Sequence, residues 1–252
     1  MKVTENIKNK LLKGQLKNCY IVIGPPRSGT SLLSNILNNS GIDFDTNLKQ
    51  ANIQNPDGFY EHNKLQHHNN KLLRFMTEHN KPTDFGFFLA RDNKERLKEI
   101  YLMNKVNQAL KKINKKTKLK WGIKDPALCI TFRRLYHYFS DFRPIYIVRN
   151  PTEVVISEVL GGGSSPLKAI KLWEECVLNI INYKLKFGGS IILHHNLLKK
   201  DKNTLDAIKE YLDTKDESIF DVIKTEYYRS KGEIPLPDYT QKLWAYIQKI
   251  AQ

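Results

Sequence analysis

The sequence predicts an α/β fold of three layers, with a central parallel sheet between helices, and three observations carry that expectation. Mostly apolar runs at 19–23, 119–123, 145–148 and 190–193 are four or five residues long, as expected of strands buried on both faces. Stretches with helical apolar spacing lie between them, the strand–helix–strand order that builds a parallel sheet. Polar residues follow each run directly, at 24–31, Lys124-Asp125, Arg149-Asn150 and His194-His195. In a parallel sheet those positions share one edge, at the carboxyl ends of the strands, where ligands bind.

The elements follow in order. At 252 residues the chain is expected to be one domain, large enough to bury roughly three quarters of its unfolded surface. Residues 1–18 are a charged lead-in with an amphipathic helix over 6–17. The strand at 19–23 passes through Gly24-Pro25-Pro26 into a helix at 29–39, which Asn38-Asn39-Ser40-Gly41 stops. A polar turn at 52–58 precedes a helix over 61–78 with Leu65, Asn69, Leu72, Leu73 and Met76 near one face. Residues 80–118 form a helical and loop insertion, an aperiodic loop to 92 and a basic helix over 93–115. A strand at 119–123, a helix over 128–139 and a strand at 145–148 follow. Pro151 opens a helix to 160, and 161–165 is a hinge. A helix over 167–186, a strand at 190–193 and helices over 203–212 and 239–250 complete the chain, with no internal repeat.

Composition narrows the function. The formal charge is +15, from 41 basic and 26 acidic residues, which suits an anionic ligand. Many lysines at 2–17 and 105–120 have the spacing of solvated helix faces. No run of 18 apolar residues occurs and the first 18 residues lack an apolar signal core, so a cytoplasmic protein without stable membrane insertion is expected. The three cysteines, at 19, 129 and 176, are too few and too far apart for a disulfide framework. His194 and His195 lack partners at metal-ligand spacing.

The segment 24–31 carries the chemistry. A strand passes through small residues straight into a helix, so main-chain N–H groups and the helix's positive end converge on an anion. Gly24, four residues, then Gly29-Thr30-Ser31 approaches the nucleotide-triphosphatase loop, but Thr30 stands where that loop has lysine and the basic group is Arg27. The strand at 145–148 ends in Arg149-Asn150 rather than a metal-holding carboxylate. A phosphate-loop kinase or phosphatase is therefore the alternative reading. A non-catalytic polyanion binder is a further one, which the charge permits, but the sequence has no nucleic-acid fold signature and no nucleic-acid partner is expected.

Pro25-Pro26-Arg27-Ser28-Gly29-Thr30-Ser31 resembles the 5′-phosphosulfate loop of sulfotransferases that use 3′-phosphoadenosine 5′-phosphosulfate, in their bacterial and Golgi-type branch. The segment from Ile145 to Ser157 is similar to that family's 3′-phosphate site, an Arg ending a strand and a Ser eight residues later. The spacing has its own physical reading: Arg149 at a strand end and Ser157 along the next helix reach one anion, by a charged fork and a hydroxyl. Trp121-Gly122-Ile123-Lys124-Asp125-Pro126 is similar to the branch's Lys-Asp-Pro segment. Cytosolic members carry a catalytic His where Pro126 stands, so the base must lie elsewhere. Asn55-Pro56-Asp57-Gly58-Phe59-Tyr60-Glu61 resembles the family's Asn-Pro-x-Gly-aromatic-x-Glu segment and offers Glu61, with helix capping as its plainer role; His67 and His68 read as helix-surface residues.

The resemblance implies a P-loop nucleotide-triphosphatase-like sulfotransferase fold and transfer of a sulfuryl group to a hydroxyl or amine, of a carbohydrate or small metabolite. It assigns the donor nucleotide to Pro26, Arg27, Ser28, Gly29, Thr30, Ser31, Arg149 and Ser157. Arg229 joins them through Arg229-Ser230-Lys231-Gly232, which is similar to a segment covering the 3′-phosphate although an extra serine breaks the match; Tyr227 and Tyr228 are candidates for adenine stacking. On the same resemblance Arg27 and Lys124 are expected to stabilise leaving-group charge and Glu61 to take the acceptor's proton. A sulfuryl group carries less charge than a phosphoryl group, so side-chain cations suffice and no metal is expected. Acceptor loops are expected at 42–60, at 80–92 with Phe85, Phe87 and Phe88, and at 160–168.

Overall fold

Four parallel strands form one sheet in the order β2-β1-β3-β4: β1 Cys19–Ile23, β2 Trp121–Lys124, β3 Phe142–Val148 and β4 Ser190–Leu193. The computed structural model describes residues 14–51, 58–79, 93–117, 119–161, 165–224 and 232–251. Nine α-helices accompany the sheet among these residues: α1 Thr30–Asn39, α2 Asn63–His79, α3 Asn93–Lys116, α4 Leu128–Leu135, α5 Pro151–Leu160, α6 Pro166–Phe187, α7 His194–Leu198, α8 Lys202–Leu212 and α9 Asp238–Ile250. Register pairs Val22 with Lys124, Ile23 with Tyr146 and Val148 with Leu193. By this register β3 and β4 run past the ends of β1 and β2, and the residues after each end lie along one edge of the sheet.

Alternation along the strands makes the three layers. Cys19, Ile21 and Ile23 of β1 pack on one side with Ile123, Tyr146, Val148, Ile191 and Leu193, against buried residues of α2, α3, α4, α6 and α9. Tyr20 and Val22 face the other way with Ile145, Ile147 and Ile192, against α1, α8 and the turn at 218–220. Both strand faces are thus apolar, which is why each strand reads as a run rather than an alternation. Each fully buried Ile or Val contributes about 1.5–3 kcal/mol relative to exposure.

Several boundaries differ from expectation. Residues 14–17 are not helical: Leu16 bridges in parallel to Phe139 and is 1% exposed. A Cβ on Gly14 would lie 2.4 Å from the Phe139 carbonyl carbon, so the two segments press together. Residues 1–13 of the expected lead-in lie outside the described residues. The helix expected to reach 139 ends at Leu135, and a 3-10 turn, Tyr136–Tyr138, follows. Phe139 is thereby carried into an aromatic cluster with Trp121, Phe132 and Phe142. The strand β3 begins at Phe142 rather than 145 and includes Pro144. The Pro144 carbonyl approaches Gly189, and the ladder to β4 begins only at Ile145, so the missing N–H breaks no bond on that side. The C-terminal half of α3 turns Val106, Ala109, Leu110 and Ile113 into the main core. The short α7 directly after β4 was not expected.

Candidate active site

The turn from β1 to α1 depends on three unusual backbone positions. A Cβ on Gly24 would lie 2.6 Å from the Ile147 carbonyl oxygen, so only glycine lets the loop press on β3. Gly29 has φ 86° and a Cβ there would meet His194 Cδ2 at 2.4 Å. Between them Arg27 adopts φ 64°, a left-handed conformation that costs a residue with a side chain about 1–2 kcal/mol. Ser28 N donates to the Pro25 carbonyl at 3.2 Å, closing the turn. Among the described residues no side chain caps α1, which leaves its first N–H groups to serve an anion. Ser28 Oγ is fully buried and finds no partner among the described residues. Pro26 is half-buried and Thr30 buried at the same turn.

Lys124, at the end of β2, gathers the first cluster. Its Nζ donates to Glu61 Oε1 at 2.5 Å, to the Phe59 carbonyl at 2.9 Å and to Ser31 Oγ at 3.2 Å. Both charges are buried, Lys124 at 3% and Glu61 at 4% exposure. Glu61 precedes α2 rather than lying inside it: Leu48 and His62 form an antiparallel bridge, and Lys49 N donates to the Glu61 carbonyl at 2.7 Å. The second carboxylate oxygen, Oε2, accepts from Gln66 Nε2 and lies 3.9 Å from the Lys49 ammonium. Burial pushes the Lys124 pKa down, opposed by Glu61 and then Asp125.

Asp125 is buried beside this cluster and fastens the start of α4. Its Oδ2 accepts from Asn69 Nδ2 at 2.9 Å and its Oδ1 from Ala127 N at 3.0 Å. Burial raises its pKa to about 6, against the hydrogen bonds from Asn69 and Ala127. A carboxyl raised on folding binds more protons in the native state, so its contribution to stability falls as pH rises from about 4 through about 6. In Asp125→Asn that loss is absent, and rotation of the Asn69 amide, whose Oδ1 has no partner among the described residues, restores the side-chain pair. Denaturation midpoints of the variant relative to wild type are expected to rise between pH 4 and pH 7; a difference independent of pH would refute the assignment.

The second cluster lies between the loop and α5. Pro151 opens this helix, and the Asn150 side chain accepts from Thr152 N at 2.9 Å. Arg27 Nε donates to Ser157 Oγ at 2.9 Å. Arg149 Nε pairs with Glu153 Oε2 at 2.7 Å, and its Nη1 donates to the Arg27 carbonyl at 3.1 Å. Beneath the loop, His194 packs against Gly29. Burial, then Arg149 and His195, push its pKa down to about 3, so the ring is neutral.

The geometry thus brings Ser31, Lys124 and Glu61 into one cluster and Arg27, Arg149 and Ser157 into another, with the loop running between them. On α2, His67 is exposed and His68 half-buried. Arg229, Tyr227, Tyr228, 80–92 with Phe85, Phe87 and Phe88, and 162–164 of the hinge lie outside the described residues. Among the described residues no three His, Cys, Asp or Glu side chains group as a metal site, and no helix is long and apolar enough to cross a membrane. Gln66, Asn69, Glu153 and the Phe59 carbonyl were not anticipated. The spacing of Arg149 and Glu153, one helical turn apart, was a legible signal; a main-chain carbonyl leaves none.

A parallel sheet with a Gly-bounded turn feeding a helix whose N-cap residue is glycine defines a P-loop-like α/β protein. The chain belongs to the sulfotransferase family, whose model matches residues 20–216, and its class is that of a sulfotransferase enzyme. No curated protein matches it in sequence. Among solved structures it is similar to a sulfotransferase domain from the curacin biosynthetic pathway, at 16% identity and TM-score 0.61, over 93% of this chain and 99% of that one. A sulfotransferase domain from the Synechococcus PCC 7002 olefin synthase is similar at 17% identity and TM-score 0.58, over 94% of this chain and 96% of that one. At such identities the likeness is one of fold.

Proposed function

We propose that this enzyme takes its sulfuryl group from 3′-phosphoadenosine 5′-phosphosulfate and passes it to an acceptor hydroxyl or amine, of a carbohydrate or small metabolite, releasing adenosine 3′,5′-bisphosphate. The observation that carries the reading is Lys124, whose single ammonium touches both Ser31 of the loop and the buried Glu61. A cation for the leaving group and a carboxylate for the acceptor's proton therefore stand side by side next to the loop. Three buried free cysteines suit a reducing compartment such as the cytoplasm.

The loop amides with Pro26, Ser28, Gly29, Thr30 and Ser31 hold the 5′ end, and Arg149 with Ser157 holds the 3′-phosphate. Arg229 is assigned to that phosphate by resemblance alone. The acceptor oxygen or nitrogen attacks sulfur as the bond from sulfur to the bridging oxygen breaks, and the electron pair stays on that oxygen. Arg27, Lys124 and the amides stabilise its charge. An arginine does not give up its proton readily, so the role of Arg27 is electrostatic. Glu61 takes the acceptor's proton at Oε2, the oxygen beside the partly exposed Lys49.

A thermal-shift comparison of adenosine 3′,5′-bisphosphate, magnesium-ATP and an oligonucleotide tests the reading. Saturation with the bisphosphate at one hundred times its Kd stabilises by about 2.7 kcal/mol, which for a chain of this size raises Tm by roughly 5–10 °C. Stabilisation by magnesium-ATP instead would favour a kinase or phosphatase, and stabilisation by the oligonucleotide a polyanion binder.

A further inference from the structure

Two ammonium groups share the Glu61 carboxylate. Lys124 holds Oε1 at 2.5 Å with its own side chain 3% exposed, whereas Lys49 stands 3.9 Å from Oε2 with 42% of its side chain exposed. The Lys49 charge also reaches Lys124, where it adds to the downward push of burial on that pKa. The second ammonium is held in place by its surroundings. Lys49 N donates to the Glu61 carbonyl at 2.7 Å beside the antiparallel bridge of Leu48 to His62, which sets Lys49 and Glu61 opposite each other on one face. Its Nζ rests 4.2 Å from the centre of the Phe59 ring, a cation–π contact. An acceptor whose nucleophile meets Oε2 therefore lies within reach of the Lys49 ammonium. In the transfer step the proton cancels the charge of Glu61, and the bridging oxygen of the donor becomes the anionic partner of Lys124. Lys49 is then left beside a neutral carboxyl group. A negative group on the acceptor keeps an ion pair at Lys49 through the step, and a lysine ammonium has three donors to share between that group and Glu61.

We propose that the acceptor is itself an anion, with a carboxylate or phosphate on the same small molecule or sugar residue as the group that is sulfated, and that Lys49 is the residue that selects it. The inference rests on the donor reading and on the assignment of Glu61 above, and it narrows the acceptor to acidic sugars and acidic metabolites. A formal charge of +15 accords with a protein whose two substrates are both anionic.

Release of adenosine 3′,5′-bisphosphate from the donor, measured with matched acceptors, tests it: methyl glucuronoside against methyl glucoside, methyl galacturonoside against methyl galactoside, and glycerol 3-phosphate against glycerol. The uronosides and the glycerol pair distinguish a carboxylate from a phosphate. In at least one pair kcat/KM is expected to be about 10-fold to 100-fold higher for the anion, the worth of a hydrogen bond to a charged group, and chiefly through KM. Lys49→Met should abolish most of that preference and Lys49→Arg should retain most of it. Taking the ratio within a pair cancels any effect of the substitutions on Glu61 itself. Neutral members used as well as the anions, a preference that survives Lys49→Met, or no turnover of any member by protein that binds the bisphosphate, each overturns the inference and leaves the donor reading standing. Protein that fails to bind adenosine 3′,5′-bisphosphate overturns the donor reading and the inference together.

Discussion

Lys124→Ala is expected to lower turnover by about 100-fold to 1,000-fold, the usual loss when one donor to a developing negative charge is removed. Release of adenosine 3′,5′-bisphosphate from the donor in the presence of acceptor reads it. The lysine is bonded to Ser31 Oγ, the Phe59 carbonyl and Glu61, so the variant also leaves a buried carboxylate without its cation. Breaking such a pair costs about 3–5 kcal/mol, and the denaturation midpoint should fall accordingly. The two effects are separable, because rates are taken where the variant is folded. Bisphosphate affinity should change far less than turnover, since Arg149 and Ser157 remain. Near-normal turnover in the folded variant would remove Lys124 from the chemistry.

Glu61→Gln is expected to lower turnover by about 100-fold to 10,000-fold, the range for loss of a general base. The substitution keeps the shape of the side chain and an oxygen for Lys124, so folding is disturbed less than by Lys124→Ala. The pH profile supplies the sharper reading. The glutamine variant has no carboxylate to take the acceptor's proton, so its profile should differ in shape from that of wild type. A profile of unchanged shape would reassign the base, even if the rate were lower. Asp125, the other buried carboxyl nearby, is committed to Asn69 and to the start of α4, which makes it structural rather than a competitor for the acceptor's proton.

Much of this arrangement was legible because parallel strands buried on both faces leave short apolar runs, and the residues after each run must share an edge. The turn at 24–31 could be read as an anion cradle from its small residues and the helix that follows. Other features depend on contacts between distant segments. The extended path at 14–17 and the early end of α4 come from Leu16 bridging to Phe139 and from that ring's place among Trp121, Phe132 and Phe142, where tertiary packing overrides helical spacing. The pairing of Lys124 with Glu61 requires the register of β1 on β2 and the bridge of Leu48 to His62, neither of which periodicity encodes. The role of Phe59 is carried by a main-chain oxygen, which any residue type would supply.

The most direct test is a crystal structure with adenosine 3′,5′-bisphosphate bound. The 5′-phosphate is predicted to sit on the amides at 24–31 beside Arg27 and Lys124, with the 3′-phosphate on Arg149 and Ser157. A nucleotide bound away from that turn, or one whose 3′-phosphate reaches neither Arg149 nor Ser157, would contradict the account.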